Sequence, residues 1–229
     1  MHILVIDGGH VEAEFREKFG PAHEYTFWDV LADEVECNEK QRQFFRETLK
    51  MADVVFFSQF IEARHYFLLE PGKFVVFQEA ASMQLFASSG NWPTFGFCGL
   101  PTLLNRSLLE VSLYHEADRE KLAETCAALG TDYRIVADRV GLVTPRVICQ
   151  IINEACFTVQ EGTATMQDVD LGMKLGTNYP RGPFAWANAI GVERVYAVLE
   201  ALWDDTHDER YKVCPLLKRQ ALRGEPFAV

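Results

Sequence analysis

Two short stretches of this chain hold residue types whose spacing could do chemistry. The first follows an apolar run, Ile3-Leu4-Val5-Ile6, and reads Asp7-Gly8-Gly9-His10-Val11-Glu12. Glycines between a strand and a helix let the backbone approach a diphosphate and seat it at the helix N-terminus. The complete pattern is G-x-G-x-x-G. Here Gly9 holds the middle position, while Asp7 and Glu12 stand where the first and third glycines belong. Carboxylates that close to a partly desolvated diphosphate cost on the order of one to several kcal/mol. Asp29 lies 20 residues after Gly9 at the end of a second apolar run. That is where an acid can take ribose hydroxyls, and also where an aspartate serves as a turn or cap.

The second stretch is Gly96-Phe97-Cys98-Gly99-Leu100-Pro101, with Glu110 following Cys98 by 12 residues. A thiol becomes a nucleophile when a histidine or other cation activates it. His2, His10, His23, His65 and His207 are scattered singly and read as surface or capping residues, and His115 falls beyond the strand that holds Glu110. Cys98 therefore reads first as a buried, inert thiol. Glu110 is either an exposed strand-end glutamate or an acid with work to do.

The elements that must position these groups are legible. Apolar runs at Ile3–Ile6, Glu24–Trp28, Val54–Phe57, Phe74–Phe77, Phe95–Phe97, Leu108–Leu113 and Tyr133–Val136 alternate with helical patterns. This alternation predicts a parallel sheet flanked by helices. Helices are expected around Gly9–Phe19, Asn38–Lys50 and Asp118–Leu129, the last closed by Gly130. After Gly141 strand signals stop. Val147, Ile148, Ile151, Ile152, Ala155 and Val159 follow helical spacing up to Gly162. Thr165 and Asp168 form a capping box for a second helix, and a third runs from about Val192 to Trp203. The boundary between an α/β domain, 1–140, and a helical domain, 141–229, is placed there.

Composition narrows the classes. With 48% hydrophobic and 24% charged residues the chain is an ordinary globular one. A net charge of −11 argues against a nucleic-acid partner, which needs a basic footprint. None of the six cysteines forms a C-x-x-C pair, so no zinc spacing is present and no metal is expected. No apolar run approaches the ~20 residues of a membrane span, and a reduced, cytoplasmic protein is expected.

The helical half also carries a family resemblance. Asp168-Val-Asp-Leu-Gly-Met-Lys-Leu-Gly176, followed by Tyr179-Pro-Arg-Gly-Pro-Phe184, resembles the D-I-D-x-A-M-K-x-G…Y-P-x-G-P-F segment of 3-hydroxyacyl-CoA dehydrogenases. Ile190-Gly191, Tyr211 and Pro215-Leu216-Leu217 continue the likeness, and Gly141-Leu-Val-Thr-Pro-Arg146 stands where the family has G-F-I-x-N-R. Gly176 and Gly182, beside Pro180 and Pro183, are expected to form a tight connector between helices.

The resemblance implies a degenerate Rossmann-like domain followed by an all-helical dimerisation domain. It also implies NAD held by Gly8, Gly9 and Asp29, an acyl-CoA or small hydroxy acid as ligand, and a homodimer. The family oxidises a 3-hydroxyl with a His–Glu pair. By alignment Glu110 is the family glutamate, Cys98 stands at its histidine, Ala81 (with Ser82 adjacent) at its serine, and Pro145 at its asparagine. Loss of the general base alone should cost roughly 10²–10⁴-fold in rate. The expectation is a family member whose standard activity is lost or much reduced. Two alternatives stand beside it: an active oxidoreductase with a rebuilt site, and a dimeric interaction or acyl-CoA-binding protein.

Overall fold

A computed structural model describes residues 1–29, 39–58, 74–82 and 92–229, with side chains omitted for 39–42. Cys37, His65 and most of the 58–95 stretch lie outside the described residues. Two compact units account for the chain. One comprises Met1–Ala80, Gln84–Gly99 and Leu104–Arg139, and the other Ala81–Met83, Leu100–Leu103 and Val140–Val229.

The first unit is built on seven strands: β1 His2–Ile6, β2 Glu24–Trp28, β3 Val54–Phe57, β4 Val75–Glu79, β5 Thr94–Phe97, β6 Leu108–Leu113 and β7 Asp132–Val136. Their order across the sheet is β2-β1-β3-β4-β5-β6-β7. Helices α1 Glu12–Phe19, α2 Glu39–Met51 and α3 Arg119–Leu129 connect them. β1 to β5 run parallel; the inner residues of β1, β3, β4 and β5 are buried on both faces, as covered parallel strands require, while those of the edge strand β2 are only half-buried. One face packs on Phe15 and Phe19 of α1 and Leu122, Cys126 and Leu129 of α3. The other packs on Phe45 and Leu49 of α2. At the centre Phe56 stacks on Phe77 at 4.7 Å and meets Phe15 edge-on at 5.1 Å.

The sheet departs from the expected all-parallel pattern at β6, which pairs antiparallel with β5. The cause is length. Residues 98–107 are too few for a helical crossover, which needs a dozen or more, so the chain turns back on itself. β7 again lies parallel to β6, because α3 supplies the crossover between them.

The second unit consists of helices α4 Thr144–Gln160, α5 Met166–Thr177, α6 Pro183–Ile190, α7 Val192–Thr206 and α8 Pro215–Arg223. Its core includes Cys149, Ile152, Cys156, Phe184, Val195, Leu199, Leu202 and Leu217, all with no exposed surface. The Thr165–Asp168 capping box is present in both directions at the start of α5. The Gly176–Pro183 stretch is not all connector. Gly176 lies in the last turn of α5, and Pro183 opens α6. Asp170, one turn into α5, accepts hydrogen bonds from the Phe184 and Ala185 backbone N–H groups at 2.7 and 2.9 Å. It thereby caps the first turn of α6. A Cβ on Gly182 would sit 2.2 Å from the Asp170 carboxyl carbon, which is why glycine stands there.

Candidate functional site

Four buried polar residues of the first unit share one edge of its sheet. Asp7, Ser58, Gln78 and Glu79 stand at or just beyond the carboxyl ends of β1, β3 and β4, each at least 95% buried. Open α/β sheets bind ligands outside this edge, at the point where strand order reverses. Here that point lies between β1 and β3, since β2 extends one way from β1 and β3 the other.

The glycine turn sits at that point. Asp7 ends β1 with φ 54°, a left-handed conformation that a short polar side chain tolerates best after glycine. Its N–H donates to the Trp28 carbonyl at 2.8 Å. Gly8 has no room for a side chain: a Cβ would fall 2.3 Å from Val5 Cγ1 and 2.7 Å from Ser58 Oγ. A Cβ on Gly9 would fall 2.9 Å from Asp29 Oδ2, and the Gly9 N–H donates to Asp29 Oδ1 at 3.4 Å. The sequence pattern therefore brings Gly8, Gly9 and Asp29 together at the strand ends. Glu12 turns along α1 to pair with Arg16 at 2.7 Å, and that guanidinium lies over the rings of Tyr25 and Phe27.

These residues match a dinucleotide unevenly. The bare glycine backbone and Asp29 suit its adenosine ribose. Asp7 and Glu12 stand in sequence where the G-x-G-x-x-G pattern has its first and third glycines, close to a diphosphate position that calls for donors and positive charge.

Cys98 directly follows the last residue of β5, and Glu110 directly precedes the β6 residue paired with it. The β5–β6 ladder pairs Phe95 with Leu113, Gly96 with Ser112 and Phe97 with Val111. Carried one step past the end of β5, this register would set Cys98 opposite Glu110, and side chains directly opposite in such a pair start about 5 Å apart on one face. Cys98 is buried and Glu110 half-buried. Gly99 follows, its missing Cβ bounded by the Phe97 ring at 3.2 Å and Glu79 Cγ at 3.3 Å. A buried carboxylate thus sits beside the same turn.

Glu79 and Ser58 were not singled out from the sequence. The signal was there: each closes an apolar run with a polar residue, and the carboxyl end of a parallel strand is where that matters. Ala81 is buried and Ser82 half-buried, and Pro145 lies in the first turn of α4, whose opening needs no N–H there. Among the described residues no group of three His, Cys, Asp or Glu is placed to hold a metal, and no helix is long and apolar enough to cross a membrane.

In the helical unit a groove of about 730 Å³ runs between α4 and α5. Val147, Ile151, Val169 and Met173 line it. Arg146 and Tyr211 also border it, joined by a hydrogen bond from Arg146 Nη1 to the Tyr211 hydroxyl at 2.6 Å.

Residues 141–226 match the family model described as 3-hydroxyacyl-CoA dehydrogenase, C-terminal domain. Over 87 residues the chain is 44% identical to the 3-hydroxyadipyl-CoA dehydrogenase of Escherichia coli, covering 38% of this chain and 18% of that protein. Over 89 residues it is 40% identical to a probable 3-hydroxybutyryl-CoA dehydrogenase of Bacillus subtilis, covering 39% and 31%. The matched segments thus span less than a third of those relatives. The fold is similar over nearly the whole chain to the (S)-3-hydroxybutyryl-CoA dehydrogenase of Ralstonia eutropha: TM-score 0.71 at 19% identity, covering 97% of this chain and 94% of that one. The FadB2 protein of M. tuberculosis gives a TM-score of 0.73 at 17% identity, covering 97% and 93%.

Proposed function

We infer that this chain, which belongs through residues 141–226 to the 3-hydroxyacyl-CoA dehydrogenase family, binds an acyl-CoA or related hydroxyacyl ligand and has lost most or all of the family's dehydrogenase chemistry. One observation carries the reading: carried one step past its last pair, Phe97 with Val111, the β5–β6 register would set the Cys98 thiol opposite Glu110. Oxidation of a hydroxyl needs a group that accepts its proton near neutral pH. An imidazole does this and a carboxylate can orient it. A neutral thiol accepts hydrogen bonds weakly and holds no such proton. Glu110 alone could take a proton, but nothing then aligns the hydroxyl for hydride loss.

The test is acetoacetyl-CoA-dependent NADH oxidation, run beside calorimetric titration with acetoacetyl-CoA. Binding of acetoacetyl-CoA without turnover is expected. Wild-type turnover on the order of 1–10³ s⁻¹ that disappears in Glu110→Gln would sink the reading. It would instead support a rebuilt active site, for which the buried Glu79 beside Gly99 is the supporting observation.

The family's helical domain dimerises, and the apolar α4–α5 groove supports the same use of this surface. A cytoplasmic location agrees with Cys98, Cys126, Cys149, Cys156 and Cys214 all being buried as thiols outside any disulfide.

A further inference from the structure

We propose that the polar pocket framed by the end of α1, the residues leading into β6 and the α3–β7 turn binds a dianionic phosphate group, carried by inorganic phosphate or by a small phosphomonoester. The pocket lies within the first unit, and its occupancy is independent of whether the chain retains dehydrogenase activity.

Its volume is about 440 Å³, room enough for such an ester. Lys18 borders it from α1, Asn105, Arg106 and Ser107 from the β6 side, and Thr131 and Asp132 from the α3–β7 turn. The lining thus holds two cations and one carboxylate. In a chain of net charge −11, an anion overcomes the overall field only where basic residues gather in this way.

Lys18 carries the assignment. Its half-buried ammonium donates to the Arg106 carbonyl. Among the described residues that carbonyl is its only hydrogen-bond partner, and no carboxylate comes within ion-pair distance of it. An ammonium has three N–H donors, so two remain open. Burial without a counter-ion disfavours the charged form. The Lys18 pKa is lowered accordingly, with Asp132 and then Cys126 opposing the shift. A phosphate dianion docked on Nζ would supply the missing counter-charge.

The surrounding groups suit the same ligand. Arg106 is exposed on the lining, and a guanidinium takes phosphate oxygens two at a time. Asn105 brings a side-chain amide, and its backbone N–H donates to Glu14 at 3.4 Å, which steadies the segment before β6. The carbonyls that end a helix are poor neighbours for an anion, but at the end of α3 they are already answered. Ala127 accepts from the Gly130 N–H at 3.1 Å, and Cys126 from the Thr131 N–H at 3.0 Å. Gly130, with φ 70°, leaves open space where a Cβ would stand. Asp132 is an acceptor for an ester's hydroxyl and a repulsive neighbour for its phosphate.

The experiment is calorimetric titration of the full chain with sodium phosphate, glycerol 3-phosphate and acetate, at low salt and about pH 8, where phosphate groups are dianionic. Both phosphates are expected to bind with Kd of about 1 mM or below, and acetate about tenfold more weakly. An ester that binds more tightly than free phosphate assigns the pocket to a phosphomonoester, and equal or weaker binding assigns it to the free ion. Lys18→Met keeps the apolar stem and should weaken both phosphates by about tenfold or more. Arg106→Gln, at an exposed position, should weaken them about threefold. Thermal melts check that both variants fold, and Arg106→Gln decides alone if Lys18→Met does not. No phosphate binding by the wild type, acetate binding as tightly as phosphate, or unchanged affinity in the folded variants would each overturn the proposal.

Discussion

Asp170 shows how one residue can account for a motif. Its two carboxylate oxygens take the Phe184 and Ala185 N–H groups, tying α5 to the start of α6. The spacing from Asp170 to Pro183-Phe184 is thus a capping distance as much as a family mark. Asp170→Ala should lower stability by about 1–2 kcal/mol, read as a shifted urea midpoint with an unchanged slope. The buried thiols give a second test. Burial pushes the pKa values of Cys126 and Cys149 up to about 12, and that of Cys156 up as well. The folded state then holds thiol protons that the unfolded chain releases near pH 8.5–9. Their contribution is complete below that pH and falls away as pH rises towards 12. Denaturation midpoints should decline above pH 9. Cys149→Ala, whatever it costs near neutrality, should decline less steeply, and a parallel decline would refute the assignment.

The elements were largely legible, for reasons that differ along the chain. β1, β2, β3 and β6 appear as single apolar runs bounded by turn residues, and Gly130 does close α3 in the left-handed conformation. The antiparallel turn at β6 was not read, because periodicity reports burial and says nothing of direction. Only the length of residues 98–107 held that information. The Cys98–Glu110 spacing was legible as a number. That an antiparallel ladder carried one step further would bring the two residues opposite each other needed the strand direction. Helix α6 was hidden by its opening Gly182-Pro183, which reads as a break although proline is at home in a first helical turn. The two glycines once grouped as connector now separate cleanly. Gly176 lies within α5, with nothing near its missing Cβ. Gly176→Ala should therefore gain about 0.5–1 kcal/mol. Gly182→Ala should lose about 1–3 kcal/mol, because a Cβ there enters the Asp170 carboxyl group. Paired melts of the two variants, moving in opposite directions, are the check.

At the scale of the molecule, the helical unit carries surface that its own core does not use. Val147, which lines the groove between α4 and α5, and Leu171 of α5 are more than half exposed, and Leu175 of α5 is 77% exposed. Polar solvent-facing residues would serve a monomer better at helix positions like these, because exposed apolar patches of this kind mark association surfaces. A second copy is the occupant that fits a family whose helical domain dimerises, and a standard interface hides about 800 Å² per partner. Light scattering on the full chain should then give twice 26.1 kDa. Val147→Glu, at an exposed position where the fold has nothing to lose, should shift that mass toward the monomer, and Met173→Glu on the facing helix should do the same. A wild type that scatters as a monomer at tens of micromolar would refute the dimer. So would a Val147→Glu protein that keeps the dimer mass and its helical circular dichroism, since the groove would then not be where the copies meet.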